Sequence, residues 1–396
     1  MNTVVLSADY GYINQLETAI KSLIYHNHNL KIYVFNFDIP QEWFFKMNSD
    51  YKSIGITVKD VKVDPNLLDK PVSRQHINTM SYARLLIPDL IPEDRVLYLD
   101  SDLVVNGDIS KLFTIDMQEY KLGAVPDFTA PAKFNAGVLL IDNKKLKEEP
   151  GLSKKWLNKA DEGLASDDQT ILNNSFSDHY LHLPETYNVA IGLESGIFYY
   201  DVKSFASFKE HLQAAKPFKV IHYETGDKPW NTTSSGELRD LWWQYFALEP
   251  NEIVNHKTLT NFQPVSNGNA FIFTYDQNIK NIRELVTALP NITFHIAAFT
   301  YMGSMLMELL QYPNVRLYPN VIGPNLDKIK NNLDVYLDIN YSMKDSRTID
   351  DIKKRNLPIL SFKEIADNSD NYENYQVFDD DDISGMVERI KDIIGL

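Results

Sequence analysis

The stretch that most constrains the fold runs from Arg95 to Asp102 and reads R-V-L-Y-L-D-S-D. Its apolar run, residues 96–99, is typical of a buried strand, and Asp100 and Asp102 come directly after it. Residues i and i+2 of an extended chain point to the same side, so both carboxylates are expected to face one way. Two such carboxylates repel each other and are costly to bury, which a bound divalent cation would relieve. The pattern predicts either a metal site or a polar turn that ends a strand.

Short apolar runs alternate with helical periodicity along the first part of the chain. A helix is expected to begin at Met80 and to end before Pro88 and Pro92. This alternation predicts an α/β fold with a mostly parallel central sheet and with ligands at the C-terminal ends of its strands, where Asp9 also falls. Besides 96–99, the predicted strands are residues 3–8, 31–37, 56–63, 122–126, 137–141 and 218–223.

The length of the chain, 396 residues, exceeds what one hydrophobic core usually serves, so two domains are expected. Polar residues with scattered prolines predict a linker at 249–268, between a first domain at 1–248 and a second at 269–396. New strands near residues 271, 293, 315, 335 and 359 predict a smaller Rossmann-like accessory domain. Its first strand leads into Y-D-Q-N-I-K without a glycine-rich phosphate loop, which favours a structural or acceptor-binding role over a second nucleotide site.

Charge and composition exclude several classes of function. The net charge of -15 argues against a nucleic-acid-binding surface, and the lack of cysteine excludes disulfides, thiolate catalysis and cysteine-ligated zinc. The N-terminus has no basic region followed by a long apolar core, so no signal peptide is expected. Apolar runs are too short for a transmembrane segment, and the cytoplasm is the expected location.

Four further motifs accompany the Asp-Ser-Asp stretch: M-S-Y-A-R-L-L-I-P (80–88), F-N-A-G-V-L-L-I-D (134–142), D-D-Q-T-I-L-N (167–173) and H-Y-E-T-G-D-K-P-W (222–230). In this order and spacing, the set resembles glycosyltransferase family 8. The resemblance implies a GT-A fold in the first domain and a retaining galactosyl- or glucosyltransferase that uses a UDP-sugar and manganese. The two-domain layout is similar to that of bacterial enzymes that extend O-linked glycans on serine-rich adhesins. Lipopolysaccharide and capsule acceptors stay open.

The turn after the first strand suits a nucleotide base. An aspartate there can accept the imide N–H of uracil, and a tyrosine ring can stack on the base, although a plain turn with a half-buried tyrosine is the alternative. The resemblance implies uridine contacts at Ser7, Ala8, Asp9 and Tyr12.

The metal and the diphosphate are assigned to the Asp-Ser-Asp stretch and the late histidine motif. Oxygen ligands with one imidazole suit Mn²⁺ better than Ca²⁺. The resemblance implies manganese ligation by Asp100, Asp102 and His222, and cofactor binding by Asp100, Ser101, Asp102, Gly226 and Lys228. The chain departs from the family pattern at Thr225, where relatives tend to have glycine.

The donor sugar is expected among groups that form directional hydrogen bonds to paired hydroxyls. The matching positions are Arg84, Asp127, Asn135, Ala136, Asp168 and Gln169. Arg84 could instead be a surface arginine, and Asp167 and Asp168 could cap a helix. The resemblance implies Asp168 and Gln169 as catalytic residues, and an amide is a poor nucleophile, which favours front-face attack by the acceptor over a glycosyl-enzyme. A UDP-sugar hydrolase and a catalytically silent carbohydrate-binding scaffold stay open.

Overall fold

The computed structural model describes residues 1–69, 79–161, 167–200, 202–234, 236–259, 266–341, 343–367 and 371–396. These residues form two compact units. The first comprises residues 1–230 and 236–261, and the second comprises residues 231–235 and 262–396. Among the helices that the structure describes, none combines the length and the apolar character that crossing a bilayer requires.

The described strands of the first unit form a large sheet and a small one. The large sheet has the order β3-β2-β1-β4-β7-β6-β8, and the small sheet has the order β5-β10-β9. Strands β1 to β4 run parallel, whereas β7 is antiparallel to both of its neighbours, as expected for a mostly parallel sheet. The strands are β1 (Asn2–Ser7), β2 (Leu30–Asn36), β3 (Thr57–Lys62), β4 (Arg95–Leu99), β5 (Leu103–Val105), β6 (Leu122–Asp127), β7 (Ala130–Asp142), β8 (Leu181–His182), β9 (Val189–Ile191) and β10 (Val220–Tyr223).

Helices cover the large sheet and connect its strands. The helix at the Met80 motif is a 3-10 helix, Thr79–Leu86, which ends before Pro88 as expected. A separate short α-helix, Ile87–Leu90, follows at once with Pro88 in its first turn, where proline is tolerated, and ends before Pro92. The described α-helices are α1 (Ile13–His26), α2 (Gln41–Tyr51), α3 (Pro65–Leu68), α4 (Ile87–Leu90), α5 (Asn143–Lys147), α6 (Leu152–Asp161), α7 (Asp168–Phe176), α8 (Glu194–Tyr200), α9 (Val202–Ala214), α10 (Arg239–Phe246) and α11 (Pro250–Val254).

The central strands β1 and β4 are buried on both faces. Val4 and Leu97 belong to the hydrophobic cluster on one face of the sheet, and Val5 and Tyr98 belong to the cluster on the other. Period-2 alternation thus sends neighbouring side chains into two different cores. This explains why these strands read as uninterrupted apolar runs.

Asp100 and Asp102 lie in the short connection between β4 of the large sheet and β5 of the small sheet. The backbone N–H of Asp100 donates to the carbonyl of Gly137 at 2.9 Å, and the N–H of Tyr223 donates to the carbonyl of Asp102 at 3.0 Å. Each aspartate is therefore tied to a different sheet. Both side chains face one cavity, although residues 100–102 are not an extended strand.

The second unit has a single parallel sheet of order β13-β12-β11-β14-β15-β16, the strand order of a Rossmann-like fold. Five of its strands lie where the sequence predicted them, and the four-residue strand β16, Y-Q-V-F, was missed. The described strands are β11 (Gly268–Phe273), β12 (Ile292–Ala297), β13 (Val315–Tyr318), β14 (Val335–Leu337), β15 (Ile359–Phe362) and β16 (Tyr375–Phe378). The described helices are α12 (Ile282–Ala288), α13 (Ser304–Met307), α14 (Gly323–Lys330), α15 (Ser346–Lys354) and α16 (Ile383–Ile394).

The region predicted as a linker, residues 249–268, contains helix α11, whose Ile253 is fully buried in the first unit's core. Residues 260–265 of that region lie outside the described residues.

Candidate active site

A cavity of about 390 Å³ opens beside the C-terminal ends of β1 and β4. Seven of its lining residues carry carboxylates, against Arg84 and His222 as basic groups. An anionic diphosphate entering this cavity would need additional positive charge. The predicted site residues that line it are Ser7, Ala8, Asp9, Tyr12, Arg84, Asp100, Ser101, Asp102, Asp127, Asn135, Ala136, Asp168, Gln169 and His222.

Three side chains in the cavity lie close enough together to hold a metal ion. The ligand atoms of Asp100, Asp102 and His222 all lie within 4.8 Å of one another. His222 Nε2 is 3.1 Å from Asp102 Oδ1 and 3.8 Å from Asp100 Oδ2. Two carboxylates and an imidazole converging on one point fit a divalent cation.

Burial and neighbouring charges shift the pKa of each of these groups in opposite directions. Burial raises the pKa of Asp100, and Arg84 offsets only part of that effect. Burial would also raise the pKa of Asp102, but Lys228 and His222 hold that pKa below its usual range. Burial alone would lower the pKa of His222, which the carboxylate of Asp102 outweighs, so that the pKa is raised. A divalent cation at this point would compete with protons for the carboxylate and imidazole atoms that would ligate it.

Lys228 and Gly226 are the predicted cofactor-binding residues that do not line the cavity. Lys228 nevertheless contacts a residue of the cavity, because its Nζ donates to Asp102 Oδ2 at 2.7 Å. The same Nζ also donates to the carbonyl of Tyr223 at 2.5 Å. It is only 7% exposed. Its positive charge is paired with Asp102, one of the three predicted metal ligands.

Arg84 is the hub of the cavity, and the surface-arginine alternative is wrong because its side chain is buried. Its guanidinium is 2.7 Å from Asp100 Oδ1 and 2.9 Å from Asp168 Oδ2, and it donates to the carbonyl of Ala136. It also lies over the ring of Tyr98, 4.5 Å from the centroid. One arginine therefore positions Asp100, a predicted metal ligand, and Asp168, a predicted sugar-binding residue.

Asp167 and Asp168 make different contacts. Asp167 is the N-cap of α7, accepting from the backbone N–H of Thr170 at 2.7 Å, which confirms the capping prediction for Asp167. Asp168 is only 4% exposed and pairs with Arg84. The side-chain oxygen of Gln169 accepts from the N–H of Ala136 at 2.9 Å. This bond further reduces the ability of that oxygen to act as a nucleophile.

The turn after β1 forms the other end of the cavity. Asp9 caps the 3-10 helix Tyr10–Tyr12 by accepting from the backbone N–H of Tyr12 at 3.0 Å. The ring of Tyr12 packs edge-on against Trp230, with centroids 5.7 Å apart. Burial first, and then the carboxylate of Asp102, raise the pKa of the Tyr12 hydroxyl. Tyr12 is therefore neutral and presents a rigid ring to the cavity.

Several residues at the site were not identified from the sequence. The Tyr98 hydroxyl donates to Asp100 Oδ1 at 2.8 Å, but an apolar strand pattern conceals this role. Asn188 contacts both His222 and Asn135, and no motif marks it. Gly137 lies in the motif F-N-A-G-V-L-L-I-D (134–142), where a glycine can indicate a close approach such as the one to His222. The other unassigned cavity residues are Met80, Ser81, Thr129, Asp167, Leu193 and Glu224.

We predict that Gly137→Ala destabilises the protein and disturbs His222. A Cβ at this position would lie 2.3 Å from His222 Cε1 and 2.6 Å from Nδ1, so the imidazole would have to move. Overpacking of this kind costs about 1–3 kcal/mol, which thermal denaturation would detect. Gly107→Ala is the matched control, since its Cβ would meet no atom closer than 3.7 Å. Equal melting temperatures for the two variants would contradict the prediction.

Comparisons with known proteins place the chain in a family. Glycosyl transferase family 8 matches residues 3–234, and the GftB/GlyA-F C-terminal domain matches residues 270–395. The chain belongs to glycosyltransferase family 8 and is a glycosyltransferase, which confirms the resemblance drawn from the sequence.

The relatives include two glycosyltransferases of Streptococcus pneumoniae. Glycosyltransferase GlyD is 38% identical over 406 residues, which cover 98% of this chain and 48% of GlyD. Glycosyltransferase GlyE is 38% identical over 374 residues, which cover 91% of this chain and 90% of GlyE. The chain thus spans about half the length of GlyD and most of the length of GlyE.

Two solved structures confirm the predicted GT-A fold. The apo form of GlyE superposes with a TM-score of 0.56 at 34% identity and covers 99% of each chain. The galactosyltransferase LgtC, in complex with donor and acceptor sugar analogs, has a TM-score of 0.53 at 23% identity. The latter match covers 64% of this chain and 99% of LgtC.

Proposed function

We propose that the protein is a retaining, Mn²⁺-dependent glycosyltransferase that moves a hexose, galactose or glucose, from a UDP-sugar to a glycan acceptor. The proposed acceptor is the O-glycan of a serine-rich surface glycoprotein, in keeping with the similarity in layout to enzymes that extend such glycans. The single observation that carries the donor chemistry is the convergence of Asp100, Asp102 and His222 in an acidic cavity.

The proposed donor site runs across the cavity from the turn after β1 to the start of α7. Asp9 and Tyr12 would contact the uracil, and Asp100, Asp102 and His222 would hold the cation. The cation, when bound, supplies positive charge to the departing diphosphate. Lys228, which donates to Asp102, would add a fixed positive charge near that cation.

Asp168 and Gln169 lie at the proposed sugar end. Asp168 is held by Arg84 at 2.9 Å, so its carboxylate would have to leave that pair to attack the sugar. A fixed carboxylate can instead stabilise the positive charge that develops on the sugar ring. The bond between Gln169 and the N–H of Ala136 likewise opposes nucleophilic attack by the amide. Both contacts support attack by the acceptor from the front face.

A donor screen with Mn²⁺ tests the proposal and separates it from its rivals. UDP release is followed with UDP-galactose and UDP-glucose, with and without candidate glycans. Release that a glycan accelerates supports a transferase, and release that no glycan affects supports a UDP-sugar hydrolase. No release from either donor would support a silent scaffold. Acceleration by a lipopolysaccharide or capsule fragment alone would replace the acceptor we propose.

We also propose that the second unit serves the acceptor. A groove of about 380 Å³ lies between the loops that follow β11 and β12. Tyr275 and Tyr301 line it, and Tyr301 is 88% exposed. Asp276, Gln277 and Thr300 supply carboxylate, amide and hydroxyl groups beside these rings. Aromatic faces flanked by such polar groups match the chemistry of a sugar chain.

A truncated protein comprising residues 1–259 is expected to bind UDP as the full chain does and to lose transfer to the glycan. All residues lining the donor cavity lie between Ser7 and Glu224, and this truncation keeps helix α11 with its buried Ile253. Calorimetric titration with UDP measures the first effect and acceptor turnover the second. Circular dichroism must first show a folded protein. Lost UDP affinity in a folded truncation would contradict the prediction.

A further inference from the structure

Asn188 lies between the 3-10 helix Glu185–Tyr187 and strand β9, next to His222 on β10. Its side chain is buried. Its Nδ2 donates to Asn135 Oδ1 at 2.8 Å, and its Oδ1 is 3.1 Å from His222 Nδ1. The amide thus connects His222, a proposed metal ligand, to Asn135, a proposed sugar-binding residue.

The donor and the acceptor of each hydrogen bond among Asn135, Asn188 and His222 can be deduced. The backbone N–H of Gly137 donates to Asn135 Oδ1 at 2.8 Å, and a backbone N–H can only donate. Asn135 Oδ1 is therefore an oxygen, so the Asn188 atom that contacts it must be the amide nitrogen. The other end of Asn188 is then an oxygen, which accepts from His222 Nδ1–H. This leaves His222 Nε2 facing Asp100 and Asp102.

We infer that Asn188 is a positioning residue that fixes the Nδ1–H tautomer of His222 and the orientation of Asn135 through one buried amide. A histidine that ligates a metal through Nε2 needs its Nδ1–H held by an acceptor, which sets the angle of the ring and the position of its lone pair. The same amide keeps Asn135 directed at the proposed sugar pocket. Metal loading and donor orientation are therefore coupled through Asn188. This inference rests on the proposed function.

Two substitutions separate the two ends of the amide. Asn188→Ala removes both contacts, so Mn²⁺ affinity should fall about 10–100-fold, in the range seen for residues that orient metal ligands. Asn188→Asp keeps an oxygen for His222 Nδ1–H but sets a carboxylate oxygen against Asn135 Oδ1. That variant should keep Mn²⁺ affinity while its KM for the UDP-sugar rises. A role in packing alone would not separate the two measurements.

The experiment titrates the full chain with Mn²⁺ in the presence of UDP by calorimetry, and measures KM and kcat separately. Asn143→Ala is the control, because Asn143 is also buried but donates to the carbonyls of Ile91 and Glu93 outside the cavity. It should lower the melting temperature and leave Mn²⁺ affinity unchanged.

Wild-type Mn²⁺ affinity in Asn188→Ala would overturn the inference and leave the proposed function intact. Equal losses of Mn²⁺ affinity in Asn188→Ala and Asn188→Asp would also overturn it. A wild-type protein that binds no Mn²⁺ would overturn the proposed function itself, and the inference with it.

Discussion

Asp102→Asn is expected to abolish Mn²⁺-dependent turnover and to weaken UDP binding strongly. The change keeps the shape of the side chain but removes the charge that faces His222 at 3.1 Å and Lys228 at 2.7 Å. We expect turnover to fall by about a thousandfold, which corresponds to about 4 kcal/mol. In the wild type, a chelator should abolish activity and added Mn²⁺ should restore it. Full activity in the presence of chelator would refute the metal assignment.

The control for this substitution must account for the buried lysine. Asp102→Asn leaves Lys228 without a charged partner, and breaking a buried pair from one side costs about 3–5 kcal/mol of stability. The double variant Asp102→Asn/Lys228→Met removes both charges and should recover thermal stability without recovering Mn²⁺ binding. Asp116→Asn, at an exposed aspartate that only caps a turn, should change neither property.

Asp168→Asn is expected to reduce turnover by a hundredfold or more, about 3 kcal/mol, while UDP affinity stays unchanged. Asparagine retains the shape of the side chain but loses the charge paired with Arg84. Helix capping does not confuse the result, because Asp167 is the residue that caps α7. The measurement is steady-state turnover alongside calorimetric UDP binding.

Asp142→Asn is the matched control for Asp168→Asn, since Asp142 caps α5 through the N–H of Lys145 and lies outside the cavity. Asparagine caps about as well as aspartate, so turnover should be unaffected there. Near-normal turnover in Asp168→Asn would remove Asp168 from the catalytic residues.

The sequence predicted the fold well because its signals are local. Strands β1 and β4 are buried on both faces, so each reads as a short apolar run, and the aspartates that follow mark the strand ends. Strand β16, Y-Q-V-F, has only four residues, of which only the two at its ends are buried, so it is too short to show a clear periodic pattern.

The candidate site could be predicted only as a set of positions. The motifs indicated Asp102 and Lys228 but not that the two bond to each other, because that contact joins residues 126 positions apart. The burial of Arg84 between Asp100 and Asp168 likewise depends on tertiary packing. Asn188 could not be found, since a single asparagine before a three-residue strand carries no periodic or spacing signal.

The placement of the Asp-Ser-Asp stretch has a mechanical consequence. Asp100 is anchored to the large sheet through Gly137, whereas Asp102 directly precedes strand β5 of the small sheet and His222 lies on its central strand β10. A cation bound by all three residues would link the two sheets. Ligands that bind only the native state add their binding free energy to its stability. Separation of the two sheets would then require release of the cation, so the first unit would be most rigid when the cation is bound.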